Sequence, residues 1–209
     1  MAIARRCALW IVAVLSATPV LAQDQPPAGV APAVPDDELS SLYSAFCLQA
    51  FPDESALSAL AGQKGAVALT PAEVTALLHQ DPGHGWQLRT ATGHYQITIE
   101  NPPFHTCAIR RMTPSGVAGV QNYIAAVNAY VSAHNGKLAN VPPQKGSLPS
   151  GISISIYGSS MSAADGAATD TFGVVLSNYH SHPPANLTDE AAGGVGVEVR
   201  FVHQLVAKQ

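Results

Sequence analysis

The first 22 residues of this chain have the parts of a secretory signal peptide, and that assignment limits what the remainder can become. Arg5 and Arg6 provide a positive start. Residues 7–15 form an apolar stretch, which is shorter than the roughly 20 residues needed to cross a bilayer. Small residues then lead to Ala22, as in a typical cleavage site. We expect cleavage there and a mature protein that is periplasmic or secreted; the alternative is an uncleaved anchor helix.

Export also changes the charge of the protein. The whole chain has 10 basic and 14 acidic residues, and losing Arg5 and Arg6 leaves 8 basic residues and a net charge of −6. We expect no nucleic acid partner, because such binding needs a positive face and no basic run remains. The same reasoning disfavours an anionic membrane surface. No later stretch is long and apolar enough for a stable membrane span after cleavage.

Two cysteines remain beyond the signal peptide, Cys47 and Cys107, and we expect them to form a disulfide. In the simple loop model, closing a loop of about 60 residues removes unfolded-state entropy worth roughly 4 kcal/mol. The alternative is two separately buried thiols. Neither cysteine belongs to a Cys-x-x-Cys motif, which disfavours a catalytic redox pair.

The mature chain divides into a linker and one domain. Residues 23–36 are rich in Pro and Ala and have no periodic apolar face, which is typical of a linker. Residues 37–209 are enough for a single domain with a sizeable core. Apolar spacing and capping residues predict four helices there, with approximate limits Leu39–Ala50, Asp53–Gly62, Thr70–Leu78 and Thr113–Asn135.

Six strands are predicted from alternating or continuous apolar residues. Their approximate limits are Trp86–Thr90, His94–Glu100, Phe104–Met112, Ile152–Ile156, Thr171–Tyr179 and Val195–Phe201. The predicted order is ααα-βββ-α-βββ, with residues 138–149 as a loop. We expect an α+β fold in which an antiparallel or mixed sheet of about six strands has its helices packed on one face. Cys47 and Cys107 lie on the apolar faces of two of these elements, so their disulfide would join a helix to the sheet.

Histidines are the polar residues that most suggest a function. The chain has eight, and the sharpest pattern among them is His180-Ser181-His182. In a strand, His-x-His directs both imidazoles to one side, where they can share zinc or copper. A third ligand would have to come from elsewhere, and the prolines that follow favour a solvated turn instead. A metal at His180 and His182 is the one cofactor that the sequence suggests.

A second polar group connects the third helix to the first strand and consists of His79, Asp81, His84 and Trp86. Glycines flank His84 and permit a close approach to a ligand, so this group and Arg110 form a possible ligand cleft. The alternative is an ordinary helix-to-strand turn. Arg110 and Arg111 would bind an anionic ligand, or one of the two would pair with an acid such as Glu100 across the hairpin.

No catalytic motif stands out. The chain has no Gly-x-Ser-x-Gly elbow, no Gly-rich phosphate loop and no zincin helix. Ser159 and Ser160 follow a glycine after a predicted strand, and a hydrolase that uses one of them with a histidine is a remaining alternative. We therefore assign no catalytic residue.

Three features form a recognisable pattern: a helix with Phe46-Cys47, a strand with Trp86, and a hairpin that ends in Cys-x-Ile-Arg at residues 107–110. This pattern resembles small exported proteins of proteobacteria that have no assigned activity. The resemblance covers roughly residues 39–112. It implies an exported bacterial protein with a disulfide through Cys47 and Cys107, and it transfers no catalytic residue.

Two functions of different classes are consistent with these observations. The first is a non-catalytic exported domain that binds a partner protein or a small ligand in the cell envelope. The alternative is a metal-dependent or histidine-using enzyme of the periplasm, which needs at least three polar groups to converge in one pocket. A third hypothesis is acid sensing, because several imidazoles titrate near about pH 6.5.

Native mass spectrometry of the protein from the exported fraction tests cleavage and disulfide formation together. We expect the mass of residues 23–209 less two hydrogens, with nothing bound. A mass that still includes residues 1–22 would contradict cleavage. A retained metal that is lost when His180 and His182 are changed to Ala would favour the enzyme.

Overall fold

Strand pairing brings distant parts of the chain into one antiparallel sheet. The computed structural model describes residues 34–148, 151–163, 166–179 and 196–206. The strands are β1 (Val67–Ala68), β2 (Gly83–Arg89), β3 (His94–Glu100), β4 (Thr106–Thr113), β5 (Lys137–Ser147), β6 (Ser153–Ser162), β7 (Ala168–Asn178) and β8 (Val197–Leu205). Their order is β1-β2-β3-β4-β8-β7-β6-β5, and all neighbours are antiparallel.

Within the described residues, four α-helices and one π-helix accompany the sheet. They are α1 (Asp37–Tyr43), the π-helix (Ser44–Ala50), α2 (Glu54–Gln63), α3 (Pro71–Leu77) and α4 (Gln121–Ala133). The π-helix follows α1 without a break. In the part of the chain that the structure describes, none of these helices is long and apolar enough to cross a membrane.

The expected α+β fold with about six strands in the order ααα-βββ-α-βββ is wrong. The sheet has eight strands, because β1 lies between α2 and α3 and β5 follows α4. β1 has two residues, too few for a periodic pattern. β5 is an edge strand whose residues are all exposed, so it lacks the alternation of a half-buried strand. Pro142 and Pro143 lie where its pairing with β6 shifts register, so they are compatible with a strand.

The helices also lie on both faces of the sheet, which corrects the expectation that they share one. We call the side that carries Ile97, Ile109 and Phe201 the core face; it packs against α1, the π-helix and α4. Arg110 points to the other side, the opposite face, where its Nη1 donates to the carbonyl oxygen of Leu77 in α3. α3 therefore covers part of the opposite face, and its Leu77 carbonyl supplies an acceptor that buried Arg110 needs.

The first predicted helix has the buried stripe that its spacing indicates, although it is part α and part π. The side chains of Leu39, Leu42, Tyr43, Phe46 and Cys47 are all buried. They face β4 and β8, so the helix and the sheet share one core.

Two predicted helix starts are confirmed by their capping hydrogen bonds. The carboxylate of Asp53 accepts from the backbone N–H groups of Ser55 and Ala56 at the start of α2. Thr70 and Glu73 form the predicted capping box at the start of α3, with Pro in the first turn. Both caps depend on residues that are close in sequence, which is why the pattern alone predicts them.

The predicted start of the fourth helix is wrong by about two turns. We expected it at Thr113, but α4 begins at Gln121 and Thr113 ends β4. Gly116 has a φ of +89°, which a helix cannot accommodate. The intervening loop is instead held by Val34, whose N–H donates to the Gly116 carbonyl oxygen at 3.2 Å.

The predicted disulfide is confirmed. Cys47 of the π-helix and Cys107 of β4 lie at bonding distance, with Cα atoms 5.3 Å apart. Both side chains are fully buried. The bond joins a helix to the core face of the sheet, as the apolar positions of the two cysteines predicted.

Changing Cys47 and Cys107 together to Ala should lower the free energy of unfolding by roughly 4 kcal/mol, because the unfolded chain gains loop entropy. Urea unfolding with and without dithiothreitol measures this. We expect the reductant to destabilise the wild type and to leave the double variant unchanged. Coincident curves for the oxidised wild type and the variant would contradict a stabilising bond.

Candidate functional site

His203 is the most constrained polar side chain of the core. It is fully buried, and β8 places it on the core face directly opposite Cys107. Its Nδ1 lies 2.6 Å from the carbonyl oxygen of Cys47, and its Nε2 lies 2.7 Å from Oδ1 of Asp170 on β7. One imidazole therefore connects the π-helix to two strands.

The Cys47 carbonyl needs a donor from elsewhere because of how the π-helix ends. In a π-helix a carbonyl accepts from the N–H five residues later, as Phe46 does from Phe51. The corresponding residue for Cys47 is Pro52, which has no N–H. A buried carbonyl without a partner is costly, and His203 supplies the missing donor.

The two hydrogen bonds of His203 require a shared proton. A carbonyl oxygen only accepts, so Nδ1 carries a hydrogen that it donates to Cys47. Nε2 faces a carboxylate oxygen, and a contact between two lone pairs at 2.7 Å would be repulsive. One proton therefore lies between Nε2 and Oδ1 of Asp170. The pair is neutral overall, which makes its burial tolerable.

Further donors hold Asp170 in its accepting role. Tyr130 of α4 donates its hydroxyl hydrogen to Oδ1 at 3.2 Å. Burial raises the pKa of Asp170, but hydrogen bonds from His203, Thr169 and Tyr130 outweigh burial and lower the pKa. Burial raises the pKa of Tyr130, so its hydroxyl remains a donor. The group therefore ties α4 to the sheet as well.

Aromatic rings pack around the His203 imidazole. The Phe172 ring stacks on the His203 imidazole with centroids 5.0 Å apart. The rings of Phe51 and Tyr130 approach the same imidazole edge-on at 5.6 and 5.1 Å. A general base must reach the proton that it removes, and His203 is not exposed. We therefore assign the His203–Asp170 pair to the structure of the core.

A groove of about 650 Å³ lies next to this group on the core face and shares Phe172 with it. It runs between strands β5 to β8 on one side and, on the other, the first turn of α4 with the loop before it. Its volume is in the range of sites that bind small ligands.

The floor of the groove is apolar. Phe172 and Val174 of β7 and Tyr123 of α4 are buried there, and Leu176 and Val197 are half-buried. Burial raises the pKa of Tyr123, so its hydroxyl is uncharged. The floor therefore favours an apolar part of a ligand.

The rim along β6 is polar but uncharged. Pairing with β7 directs Ser153, Ser155, Tyr157 and Ser159 to the core face, where all four line the groove. Asn140 of β5 lies opposite Ser159 and lines it too. Among the described lining residues there is no Asp, Glu, Lys, Arg, His or Cys. The groove can therefore orient a ligand through hydroxyl and amide groups, and its described lining offers no partner for a charge.

The predicted metal ligands His180 and His182 lie outside the described residues. Within the residues that are described, no three His, Cys, Asp or Glu side chains come close enough together to hold a metal ion. The metal at His180 and His182 stays a prediction.

The five residues of the possible cleft lie in different places. His84 and Trp86 are on the core face of β2, with ring centroids 5.1 Å apart, and His84 Nε2 lies 3.0 Å from Glu54. Asp81 and His84 border a shallow hollow beside α3. His79 is exposed, with a φ of +53°.

Arg110 lies on the opposite face of the sheet from His84 and Trp86. Its Nη1 donates to Leu77, and its Nη2 donates to the hydroxyl of Thr98 at 3.2 Å. Burial, together with the charge of Arg200, lowers the pKa of Arg110 to about 10. The structure therefore brings His84 and Trp86 together and gives Arg110 a role in holding α3.

Ser153 and Ser155 are the rim serines that the sequence did not single out, whereas it named Ser159 only as a possible nucleophile. Ile152, Ile154 and Ile156 alternate with small polar residues, which predicts a strand without indicating which of its sides faces the core. In the structure Ile156 lies on the opposite face and is 38 % exposed. The alternation is compatible with either the isoleucines or the serines on the core face, because it does not determine which side of β6 meets the helices.

Comparison with known proteins finds no matching family model, no matching curated protein and no matching solved structure. The resemblance to small exported proteobacterial proteins therefore stays a prediction.

Changing Asp170 to Asn should destabilise the protein by about 2 kcal/mol at pH 7, because a charge-assisted hydrogen bond is lost. The pKa of Asp170 is lower in the folded protein than in the unfolded chain. Its stabilisation is therefore present above the unfolded value of about 3.9 and is lost as the pH falls below it. Urea unfolding of both proteins from pH 7 to pH 3 should show the difference shrinking in acid.

The matched control is Glu54→Gln. Glu54 also pairs with a histidine, His84, but the Glu54 side chain is 60 % exposed and that of His84 is 38 % exposed. We expect a change of about 0.5 kcal/mol or less at any pH. Equal effects of the two substitutions would contradict the stabilising role of the buried pair.

Proposed function

We propose that this protein is a non-catalytic, exported domain that binds an uncharged, largely apolar ligand in the groove between α4 and β6. The observation that carries the proposal is the lining: an apolar floor, a rim of hydroxyl and amide groups, and no charged side chain among the described residues. A charged ligand would lose its hydration there without gaining a partner. An uncharged ligand loses little hydration there and gains apolar contacts with the floor of the groove.

Other features support a binding role outside the cytoplasm. The Cys47–Cys107 pair at disulfide distance agrees with an oxidising compartment. The sequence predicts a signal peptide in residues 1–22 and a linker in residues 23–36. A periplasmic or secreted location, with the ligand drawn from the cell envelope, is consistent with these features.

A pair of fluorescent probes with the same ring skeleton tests the charge preference. We expect uncharged N-phenyl-1-naphthylamine to bind with a Kd of tens of micromolar, on the order of −6 kcal/mol for a ligand of its size. Its sulfonated relative, 8-anilinonaphthalene-1-sulfonate, should bind at least about tenfold more weakly because its charge has no partner. Fluorescence titration of the full chain measures both.

Matched substitutions on one strand test the location. Ser155→Phe places a large ring in the groove and should weaken binding of N-phenyl-1-naphthylamine by about tenfold or more. Ser160→Phe adds the same ring to the opposite face of β6 and should leave binding unchanged. Equal binding by both variants, or stronger binding of the sulfonate, would refute the proposal.

A further inference from the structure

We infer that the ligand of the groove is an extended segment of uncharged polypeptide, about six residues long. This inference rests on the proposed function and names the class of ligand. The geometry of β6 and β7, the free hydroxyls of the rim and the absence of charge each contribute to it.

The groove has the length of a short extended peptide. Its lining on β6 runs from Ser153 to Ser159. Six residue steps along a strand span about 20 Å. The facing residues on β7 run from Asn178 to Phe172, over the same distance. The groove is therefore elongated along the strands, which suits a linear ligand.

The polar groups of the rim repeat at the spacing of a peptide. Ser153 and Ser155 are two residues apart on one side of β6, and Ser159 continues the row beyond Tyr157. The step between alternate residues is about 6.7 Å, which is also the repeat of same-side amide groups in an extended peptide. These three serine hydroxyls make no hydrogen bond within the described residues. Each can donate to a carbonyl or accept from an N–H.

The floor repeats at the same step with apolar side chains. Leu176 lies opposite Ser155, and Phe172 lies opposite Ser159. An extended peptide directs alternate side chains to one side, so its apolar side chains would meet this floor. Because no charged residue is found in the described lining, the fitting peptide is uncharged as well. A single-chain amphiphile matches the floor but has no repeated polar groups for the rim.

Displacement of N-phenyl-1-naphthylamine from the full chain tests the inference. The probe ligand is the blocked hexapeptide acetyl-Ser-Val-Ser-Leu-Ser-Val-amide, compared with the same peptide carrying N-methyl groups on alternate amides and with monododecanoylglycerol. We expect the hexapeptide to displace the dye. N-methylation should weaken binding of the hexapeptide roughly tenfold, because hydrogen bonds from its amide groups are lost. Changing Ser155 and Ser159 together to Ala should weaken the hexapeptide by a similar factor, whereas Ser160→Ala should not.

The outcomes separate this inference from the proposed function. If the dye binds but the hexapeptide does not displace it, or if N-methylation has no effect, the peptide is not the ligand and the proposed function stands. Displacement by monododecanoylglycerol alone likewise overturns the peptide in favour of an amphiphile. Failure of the dye to bind the wild type refutes both. The N-methyl comparison needs no variant, so it holds even if the double Ala variant folds poorly.

Discussion

The chain at Cys47 is attached to the sheet twice, and the position of the helices over the core face depends on this attachment. Its sulfur is bonded to Cys107 of β4, and its carbonyl accepts from His203, the cross-strand neighbour of Cys107. The covalent bond holds the side chain, and the hydrogen bond satisfies a carbonyl that Pro52 leaves without a donor. α1 continues into the π-helix, so the attachment at Cys47 also positions α1. Tyr130 of α4 donates to Asp170, the partner of His203, and so connects α4 to the same hydrogen-bonded group.

The groove exists because the sheet is wider than the helix layer that covers it. The rings of Tyr43, Tyr123 and Phe201 fill the space between α1, α4 and β8. Strands β7 and β6 continue past this cluster, where the described helices cover the core face only in part. The side chains on that uncovered part are apolar near β8 and carry hydroxyl groups near the edge. The shape and the neutrality of the groove therefore come from the same extension of the sheet.

Local patterns predicted the elements whose own residues make them stable. The buried stripe of the first helix, the caps at Asp53 and Thr70, and the limits of β3 all match the structure. Predictions failed where stability comes from neighbours. β5 has no apolar face of its own and exists because β6 pairs with it. The expected start of α4 was wrong because Gly116 has a positive φ, which a helix does not accommodate. The carbonyl oxygen of Gly116 accepts a hydrogen bond from Val34.

By itself the sequence determined the cysteine pair, the helix caps and the two-residue alternation of β6, because each depends on neighbouring residues or on the chemistry of one residue type. Only the tertiary structure decided which side of β6 meets the core. An alternation of period two has two equivalent sides, and pairing with β7 selects the one that carries Ser155. It also decided the role of His203, because a donor for Cys47 is needed only once the end of the π-helix is packed beside β8.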